Sequence, residues 1–416
     1  MRNIVLLTFD SLRADHCSFQ GYNRDTTPTL DEMVKEAVSF SNAFSPASRT
    51  PYSVSGMFTG EHVSISEKIS NPEHTRRHLS KNKTIAQQLS GMGYQTAAFC
   101  PSAYASHYYG FDEGFDKYQD FLSDDSIYKK IFQRHIEDTS ATGAITAIRN
   151  AWNFIFREET FKTWDRYIDE IEGWVNKPRE EPFFLWVFAQ DTHIPHLIPR
   201  RYRNWSNLLD IYRYNWLANS LIDELEPELT DKEREKIIDI YDDSIRYGDY
   251  LIKRMQKLVE EFDPVFIVTS DHGEAFFEHG KYGHFYPSAY DENVHVPLVI
   301  SGTNDGPRTI EKPVSLTQLP NILRSASEGK IPDSFAEYAI TNEYDGRWER
   351  RVISVRSDSE KYILEVNHDG IVEEFYKDGE RVNSNQVSDE IVSRGLQEYK
   401  HQLEKVKMTR AVGSTV

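Results

Sequence analysis

The sequence predicts an α/β protein with a mainly parallel β-sheet sandwiched by helices. Two observations carry this prediction: short apolar runs bounded by turn residues recur along the chain, and helical patterns follow most of them. The apolar runs cover residues 3–9, 95–100, 182–189, 264–269 and 296–301. Because helical segments separate successive strands, we expect the strands to run in parallel and the helices to cover both faces.

Capping signals mark the beginning of two of the three helices predicted here. A Thr-Pro pair precedes a helix predicted over residues 29–40, and a second helix is predicted over residues 84–89. Thr230, followed three residues later by Glu233, forms a capping box for a long helix predicted to end near residue 262.

The chain of 416 residues is long enough for one large α/β domain and a smaller partner. We predict a catalytic domain over residues 1–312, with a helical insertion at about 123–177, and a small carboxy-terminal α+β subdomain over residues 313–416. The subdomain pattern consists of a helix at 314–326, strands at 352–356, 362–366 and 371–376, and a last helix at about 388–407.

Composition restricts the possible partners. With 48 basic and 66 acidic residues the formal charge is −18, which argues against a nucleic-acid-binding protein. An anionic substrate would then need local positive charge from a metal ion and a few basic side chains. Cys17 and Cys100 are the only cysteines, so a disulfide framework is not expected and a cytoplasmic location is favoured. No apolar run approaches the roughly 20 residues of a membrane helix, so stable membrane insertion is not expected.

Two of the predicted strands end in residue types that are common metal ligands. Asp10 follows the first apolar run, and Asp271 and His272 follow the run at 264–269. Ligands collect at the carboxyl ends of strands in such sheets, and two carboxylates with an imidazole leave open positions on a divalent cation. Asp10 could instead cap a helix, and Asp271 could lie in an ordinary turn. The coincidence of two such strand ends favours a metal site.

Thr50 is a candidate nucleophile. It directly precedes Pro51 at the first turn of a short predicted helix, where free backbone N–H groups can hold an anion. Its hydroxyl is therefore placed to attack a tetrahedral phosphorus or sulfur centre. The alternative is that Thr50 only caps the helix. Arg13 and Arg49 are candidates for holding substrate oxygens, because arginine suits bidentate contact.

Two loops carry further candidate side chains for substrate contact or proton transfer. These are Asp191, His193 and His196 in the first loop, and His279, Lys281 and His284 in the second. Histidines in such loops can bind metal, hold the transferred group or protonate a leaving group. A structural role is the alternative for each of them.

Taken in order, six motifs resemble the sulfatase family of the alkaline phosphatase superfamily. They are TFDSLRADH, TTPTLDEMVKEAVSFSNAF, SRTPYSVSGMFTG, THIPH, SDHGEAFFEHGKYGH and YDENVHVPLVISG. The resemblance implies the alkaline phosphatase/sulfatase-like fold with a small carboxy-terminal subdomain. It also implies a metal ion held by Asp10, Thr50, Asp271 and His272, with Thr50 as nucleophile. Substrate contacts are implied for His193 and His284.

This chain departs from the family pattern at the nucleophile. Sulfatases carry a cysteine or serine in a Cys-x-Pro-x-Arg motif and convert it to formylglycine, which threonine cannot form by that route. Counting back from Gly60 places Thr50 at that position, with Val54 in place of the arginine. A rival register places Ser45 there, but it lies five residues too early. Ser11 also replaces the family's usual second aspartate, which favours a single metal ion.

The resemblance and these departures together predict a metal-dependent hydrolase of small anionic phosphate or sulfate esters, with phosphate esters favoured. Threonine nucleophiles resemble the phosphodiesterase, phosphonate-hydrolase and phosphoglycerol-transferase branches of the superfamily. The alternatives are a true sulfuric ester hydrolase, a phosphoglycerol-type transferase and a non-catalytic anion-binding protein. The mixed ligand set favours Mn²⁺ or Zn²⁺ over Ca²⁺ or Mg²⁺. A second metal is disfavoured, because the Asp-x-x-x-His spacing is absent around Asp191.

Overall fold

The computed structural model describes residues 1–63, 72–122, 162–221, 228–284, 286–346 and 349–413. The main sheet contains β1 (Ile4–Phe9), β2 (Val38–Phe44), β3 (Gln95–Phe99), β4 (Lys117–Gln119), β5 (Phe183–Ala189), β6 (Val265–Ser270), β9 (His295–Ser301), β10 (Arg308–Ile310) and β11 (Val314–Ser315). A short ribbon is formed by β7 (Ala275–Phe276) and β8 (Tyr282–Gly283). All five predicted apolar runs are strands of the main sheet.

The main sheet is mainly parallel, as predicted. Its order is β10-β2-β9-β6-β1-β5-β3-β4, with β11 also paired to β2. The central strand β1 is parallel to β5 and β6, whereas β9 is antiparallel to both of its neighbours. Phe9 is level with Ala189 of β5 and with Ser270 of β6. This register brings the residues that follow the three strands to one edge of the sheet.

Helices cover both faces of this sheet. They are α1 (Pro28–Met33), α2 (Thr50–Thr59), α3 (Pro72–Lys81), α4 (Ile85–Gly91), α5 (Ile168–Val175), α6 (Leu208–Leu221), α7 (Asp231–Val259), α8 (Asp291–Val294) and α9 (Leu319–Ala326). Alternate residues of β1 point into two cores: Leu7 packs with the core that includes α7, and Leu6 with the core that includes α2. Among the described residues, no helix combines the length and apolar character needed to cross a bilayer.

Two of the three predicted helices form, whereas strand pairing shortens the other. The capping box of α7 forms as predicted, with Thr230 accepting from the backbone of the third helical residue, and Thr84 forms a further capping box at α4. The helix predicted over residues 29–40 is wrong beyond Met33, because residues 38–44 form β2. Pairing with β9, some 260 residues later, recruits this apolar segment into the sheet. Most of the predicted insertion, residues 123–161, lies outside the described residues.

The carboxy-terminal subdomain is an antiparallel sheet crossed by one helix. It contains β12 (Ala339–Asp345), β13 (Arg350–Arg356), β14 (Glu360–Asn367), β15 (Gly370–Lys377), β16 (Glu380–Val382) and α10 (Asp389–Gly413). The three predicted strands and the last helix are present, and β12 and β16 are additional. Ile391 of α10 packs on Ile353 and Leu364 of the sheet.

The boundary between the two parts lies later than the predicted residue 313. β11 pairs with β2 of the main sheet, and Leu319 and Leu323 of α9 are buried in its core. The segment 314–326, predicted to be one helix, is β11, a 3-10 turn and α9. The first part therefore extends through Ala326, and the small sheet begins at Ala339.

Candidate active site

Three predicted metal ligands meet at the carboxyl edge of the main sheet. Asp10 follows β1, while Asp271 and His272 follow β6, and all three side chains are buried. One ligand atom from each lies within 4.8 Å of the others. The Nε2 atom of His272 is 3.7 Å from Asp10 Oδ1 and 3.5 Å from Asp271 Oδ2. The parallel register of β1 and β6 thus assembles two carboxylates and an imidazole.

The imidazole of His272 is oriented as a metal ligand. Its Nδ1 lies 2.9 Å from the carbonyl oxygen of Gly273, which can only accept a hydrogen bond. Nδ1 therefore carries the proton, and the Nε2 lone pair faces the two carboxylates. Burial lowers the pKa of His272 to about 4, and the neighbouring His284 contributes in the same direction. A neutral imidazole at this place is ready to coordinate a cation.

The carboxylate of Asp271 shows that the cluster fits a cation. Its Oδ1 atom accepts hydrogen bonds from the backbone N–H groups of Ser11, at 3.2 Å, and His272, at 2.9 Å. Its Oδ2 atom is buried and has no hydrogen-bond partner among the described residues. Burial, reinforced by the charge of Asp10, raises the pKa of Asp271 well above its usual range. A divalent cation would satisfy the oxygen that the protein leaves unpaired.

Thr50 lies directly beside this cluster. It is the first residue of α2, and its hydroxyl oxygen is 3.2 Å from His272 Nε2. The N-cap position belongs to Arg49, so Thr50 does not have the capping role considered as the alternative. The rival nucleophile Ser45 is fully buried, and its hydroxyl donates to the carbonyl oxygen of Ala47 at 2.8 Å. The geometry therefore brings Thr50, and not Ser45, to the metal ligands.

Two further histidines extend the cluster. The ring of His284 is centred 4.3 Å from that of His272 and 5.0 Å from that of His193. Its Nδ1 atom lies 3.0 and 3.1 Å from the two carboxylate oxygens of Glu274. Burial lowers the pKa of His284 to about 3 and raises the pKa of Glu274 to about 7. We did not predict Glu274, although its position two residues after His272 was a usable signal.

Asp191 and His196, the other candidates of the first loop, bind backbone groups or other side chains of the protein. Asp191 is buried, accepts a hydrogen bond from the backbone of Trp164 at 3.2 Å, and has its pKa raised by burial to about 8. His196 is held by Asn215, which bonds its backbone N–H at 2.7 Å and its carbonyl oxygen at 2.9 Å. Within the described ranges, Asp191 and His196 join no group of three metal-ligand atoms.

Arg13 requires a correction. It was expected to hold substrate oxygens, but its guanidinium binds Asp15 through two hydrogen bonds, of 2.9 and 2.7 Å. The remaining nitrogen donates to Glu278 at 2.7 Å and to the carbonyl oxygen of Glu274 at 2.9 Å. All its nitrogen atoms are therefore engaged in internal contacts. Arg13 fixes the chain around Glu274 instead of facing a substrate.

Arg49 requires the same correction. Its guanidinium binds the carboxylates of Glu343 and Asp345 and donates to the carbonyl oxygen of Tyr344 at 3.1 Å. Glu343 also accepts from the backbone N–H and the hydroxyl of Ser48, both at 2.7 Å. Strand β12 thus anchors the two residues before Thr50. The sequence offered no signal for this role of Glu343, because the contact spans 294 residues.

The remaining candidates of the second loop, His279 and Lys281, contact other residues of the protein. The ammonium of Lys281 is partly exposed and lies 5.3 Å from the ring centroid of Tyr286. His279 Nδ1 donates to the carboxylate of Glu292 at 2.6 Å, and its ring stacks on Tyr290 with centroids 3.6 Å apart. Substrate contact by Lys281 stays a prediction.

Comparison with known proteins identifies the family of this chain. A family model described as Sulfatase matches residues 2–326. An ulvan-active sulfatase from Formosa agariphila is 23% identical over 354 residues, which cover 80% of this chain and 62% of that protein. The phosphatidylethanolamine transferase Mcr-1 from Escherichia coli is 22% identical over 295 residues, covering 70% of this chain and 46% of that protein. The chain therefore spans about half to two thirds of the length of these relatives.

A solved structure supports the fold. The phosphonate monoester hydrolase of Agrobacterium radiobacter superposes with a TM-score of 0.64 at 16% identity, covering 98% of this chain and 96% of that chain. That hydrolase thus shares the fold of this chain over nearly the full length of both. Since the family model spans most of the sequence, the chain belongs to the sulfatase family.

Proposed function

We propose that this enzyme is a metal-dependent hydrolase of phosphate esters with Thr50 as its nucleophile. The observation that carries the proposal is the 3.2 Å separation between the Thr50 hydroxyl and His272 Nε2, at the edge of the three-residue ligand cluster. A sulfatase of the family it resembles needs a cysteine or serine that becomes formylglycine, and this chain has threonine there. A threonine alkoxide is instead suited to direct displacement at phosphorus.

Four side chains would hold one divalent cation: Asp10, Asp271 and His272, with Thr50 as the fourth. When bound, the cation lowers the pKa of the Thr50 hydroxyl and polarises a non-bridging oxygen of the ester. The mixed set of carboxylate and imidazole ligands favours Mn²⁺ or Zn²⁺ over Ca²⁺ or Mg²⁺. The amino terminus of α2 directs its positive end towards the same place and favours the phosphoryl oxygens.

The remaining polar groups, His284, Glu274 and His193, are placed to transfer a proton to the leaving oxygen. Attack by Thr50 Oγ1 forms an O–P bond and breaks the bond from phosphorus to the leaving oxygen, which then needs a proton. The neutral imidazole of His284, whose Nδ1 contacts Glu274, can accept at its Nε2 the proton that Thr50 Oγ1 loses and then pass that proton to the leaving oxygen. His193 lies beside it and can share the task. Water, or an alcohol in a transferase reaction, then releases the phosphoryl group from Thr50.

One set of assays tests the proposed substrate class. The metal-loaded enzyme would be incubated with a p-nitrophenyl phosphate monoester, an alkyl p-nitrophenyl phosphate diester and p-nitrophenyl sulfate, which share one leaving group. We expect at least one phosphate ester to react faster than the sulfate. A preference for the sulfate by unmodified Thr50 contradicts the proposal. Phosphate binding without turnover of any ester supports a non-catalytic protein, and product transfer to an added alcohol identifies a transferase.

Glu343→Gln is expected to lower kcat by about 10-fold to 100-fold with little change in KM. Glu343 lies outside the three-residue ligand cluster, but it holds Arg49 and Ser48 immediately before the proposed nucleophile. The measurement is the steady-state rate on the best ester, together with the Tm. Glu365→Gln is the matched control, because it weakens the 2.6 Å ion pair with Arg350 in the same small sheet. If both variants lose stability and neither loses kcat, Glu343 has only a structural role.

A further inference from the structure

The turn that follows β1 contains a residue in the left-handed backbone conformation. Ser11 has a φ angle of 66°, which is unfavourable for a residue with a side chain. The turn begins directly after Asp10, a candidate metal ligand, and ends where a short 3-10 helix starts at Ala14. A residue keeps such a conformation only where its surroundings hold it in place. Contacts from outside the turn must therefore determine its shape.

Ser11 contacts all three residues of the ligand cluster. Its backbone N–H donates to Asp271 Oδ1 at 3.2 Å, and its hydroxyl donates to Asp10 Oδ1 at 3.0 Å. The same hydroxyl lies 3.5 Å from Nδ1 of His272. Rotation about the N–Cα bond of Ser11 moves the hydroxyl relative to the N–H, so the two hydrogen bonds together depend on the left-handed conformation. Ser11 in this conformation orients both carboxylates of the cluster.

The hydroxyl of Tyr241 holds this turn. Tyr241 belongs to α7 and is fully buried. Its hydroxyl donates to the carbonyl oxygen of Ser11 at 2.7 Å and accepts from the backbone N–H of Arg13 at 2.9 Å. The two contacts use the hydroxyl as donor and as acceptor at once. A single side chain from a distant helix therefore fixes backbone groups on both sides of Leu12.

The ring of Tyr241 also contacts the other segments that carry candidate site residues. Its centroid is 4.9 Å from that of Phe276 in β7, two residues after Glu274. It is 5.8 Å from the ring centroid of His196 in the first loop and 5.2 Å from that of His16. Tyr241 thus packs its ring between the segments and binds the turn after β1 with its hydroxyl. Removing the hydroxyl alone would leave the ring contacts in place.

We propose that Tyr241 is a positioning residue that raises the affinity of the ligand cluster for its cation. It acts through Ser11, because both partners of its hydroxyl are backbone groups of the turn. Without the hydroxyl, the buried carbonyl oxygen of Ser11 and the N–H of Arg13 lose this partner, and the turn relaxes from the left-handed conformation. Asp10 and Asp271 are then less well oriented towards the cation. The inference rests on the proposed function for the presence of a cation, but not for the ester that reacts.

Calorimetric titration of the metal-free full chain with Mn²⁺ tests the proposal without any ester. Tyr241→Phe keeps the ring and removes only the hydroxyl, and we expect its Kd for Mn²⁺ to rise by about 10-fold to 100-fold. Tyr94→Phe is the matched control, because the buried Tyr94 hydroxyl donates to the carbonyl oxygen of Arg2 at 2.8 Å, at the other end of β1. Both variants should have a lower Tm than the wild type, since each loses a buried hydroxyl contact. Only Tyr241→Phe should bind Mn²⁺ more weakly.

A double-mutant cycle tests whether Tyr241 acts through Ser11. Because Ser11→Ala removes the hydroxyl that Tyr241 keeps beside Asp10, the loss of Mn²⁺ affinity in Y241F/S11A should be smaller than the product of the two single losses. An unchanged Kd in Tyr241→Phe overturns the proposal, as do an equal loss in Tyr94→Phe and a wild type that binds neither Mn²⁺ nor Zn²⁺. Weaker Mn²⁺ binding by Tyr241→Phe alone supports it even if the wild type turns over no ester, an outcome that contradicts only the proposed function.

Discussion

Thr50→Ala is expected to lower kcat by at least about 10³-fold, because the nucleophile that forms the covalent intermediate is removed. The lost hydroxyl contacts the buried side chains of His272, at 3.2 Å, and Asp271, and alanine is a good helix former, so the Tm should change little. The rate would be measured on the best p-nitrophenyl ester with saturating metal. Acid quenching of the wild type during turnover, followed by peptide mass spectrometry, should find the phosphoryl group on the peptide that contains Thr50.

Ser45→Ala is the matched control for the nucleophile. The Ser45 hydroxyl is buried and donates to the carbonyl oxygen of Ala47, so its loss should cost about 1 kcal/mol of stability. We expect kcat to stay at the wild-type value. The opposite pattern, in which Ser45→Ala is inactive and Thr50→Ala is fully active, would assign the nucleophile to the rival register.

Asp271→Asn is expected to stabilise the metal-free protein by about 1–3 kcal/mol and to abolish the stabilisation that metal provides. In the metal-free wild type, Asp271 is a buried carboxylate beside Asp10, with one oxygen that has no partner among the described residues. An amide removes the charge and can keep the hydrogen bonds at Oδ1. The measurement is the Tm with chelator and with added Mn²⁺ or Zn²⁺, in parallel with activity, which should be lost.

The pH dependence of the Tm of the metal-free protein tests the same explanation, which is the burial of the Asp271 carboxylate. Because the pKa of Asp271 is raised on folding, the folded state binds more protons than the unfolded state above the ordinary carboxyl pKa. The Tm of the metal-free wild type should therefore fall as pH rises from that ordinary value towards the raised pKa. Asp271→Asn should show a smaller fall over this range.

Asp243→Asn is the matched control for the loss of a buried carboxylate. Asp243 accepts hydrogen bonds from the backbone of Asn204 and Ser206 and from the Ser206 hydroxyl, so its charge is well compensated. We expect this variant to lose stability with and without metal and to keep metal-induced stabilisation. If added metal raises the Tm of Asp271→Asn as much as that of the wild type, the cation does not bind at this cluster.

The strands that build the site were predictable because their signals are local. β1 and β6 are short apolar runs that end in Asp10 and Asp271, and parallel strands place their carboxyl ends at one edge. β2 was missed because apolar residues also suit the end of an amphipathic helix. Its pairing with β9 decides the conformation there, and that contact is invisible in a local window.

The charged residues around the site show the limit of sequence reasoning. Asp10, Asp271, His272 and Thr50 could be proposed from their positions at strand ends and at a helix start. Arg13 and Arg49 were misjudged, because arginine is equally suited to a substrate anion and to an internal carboxylate. Their partners Glu278 and Glu343 lie 265 and 294 residues away along the chain. Local sequence is thus sufficient for the fold class and for the residues of the candidate ligand cluster, whereas long-range burial and pairing assign each arginine its partner.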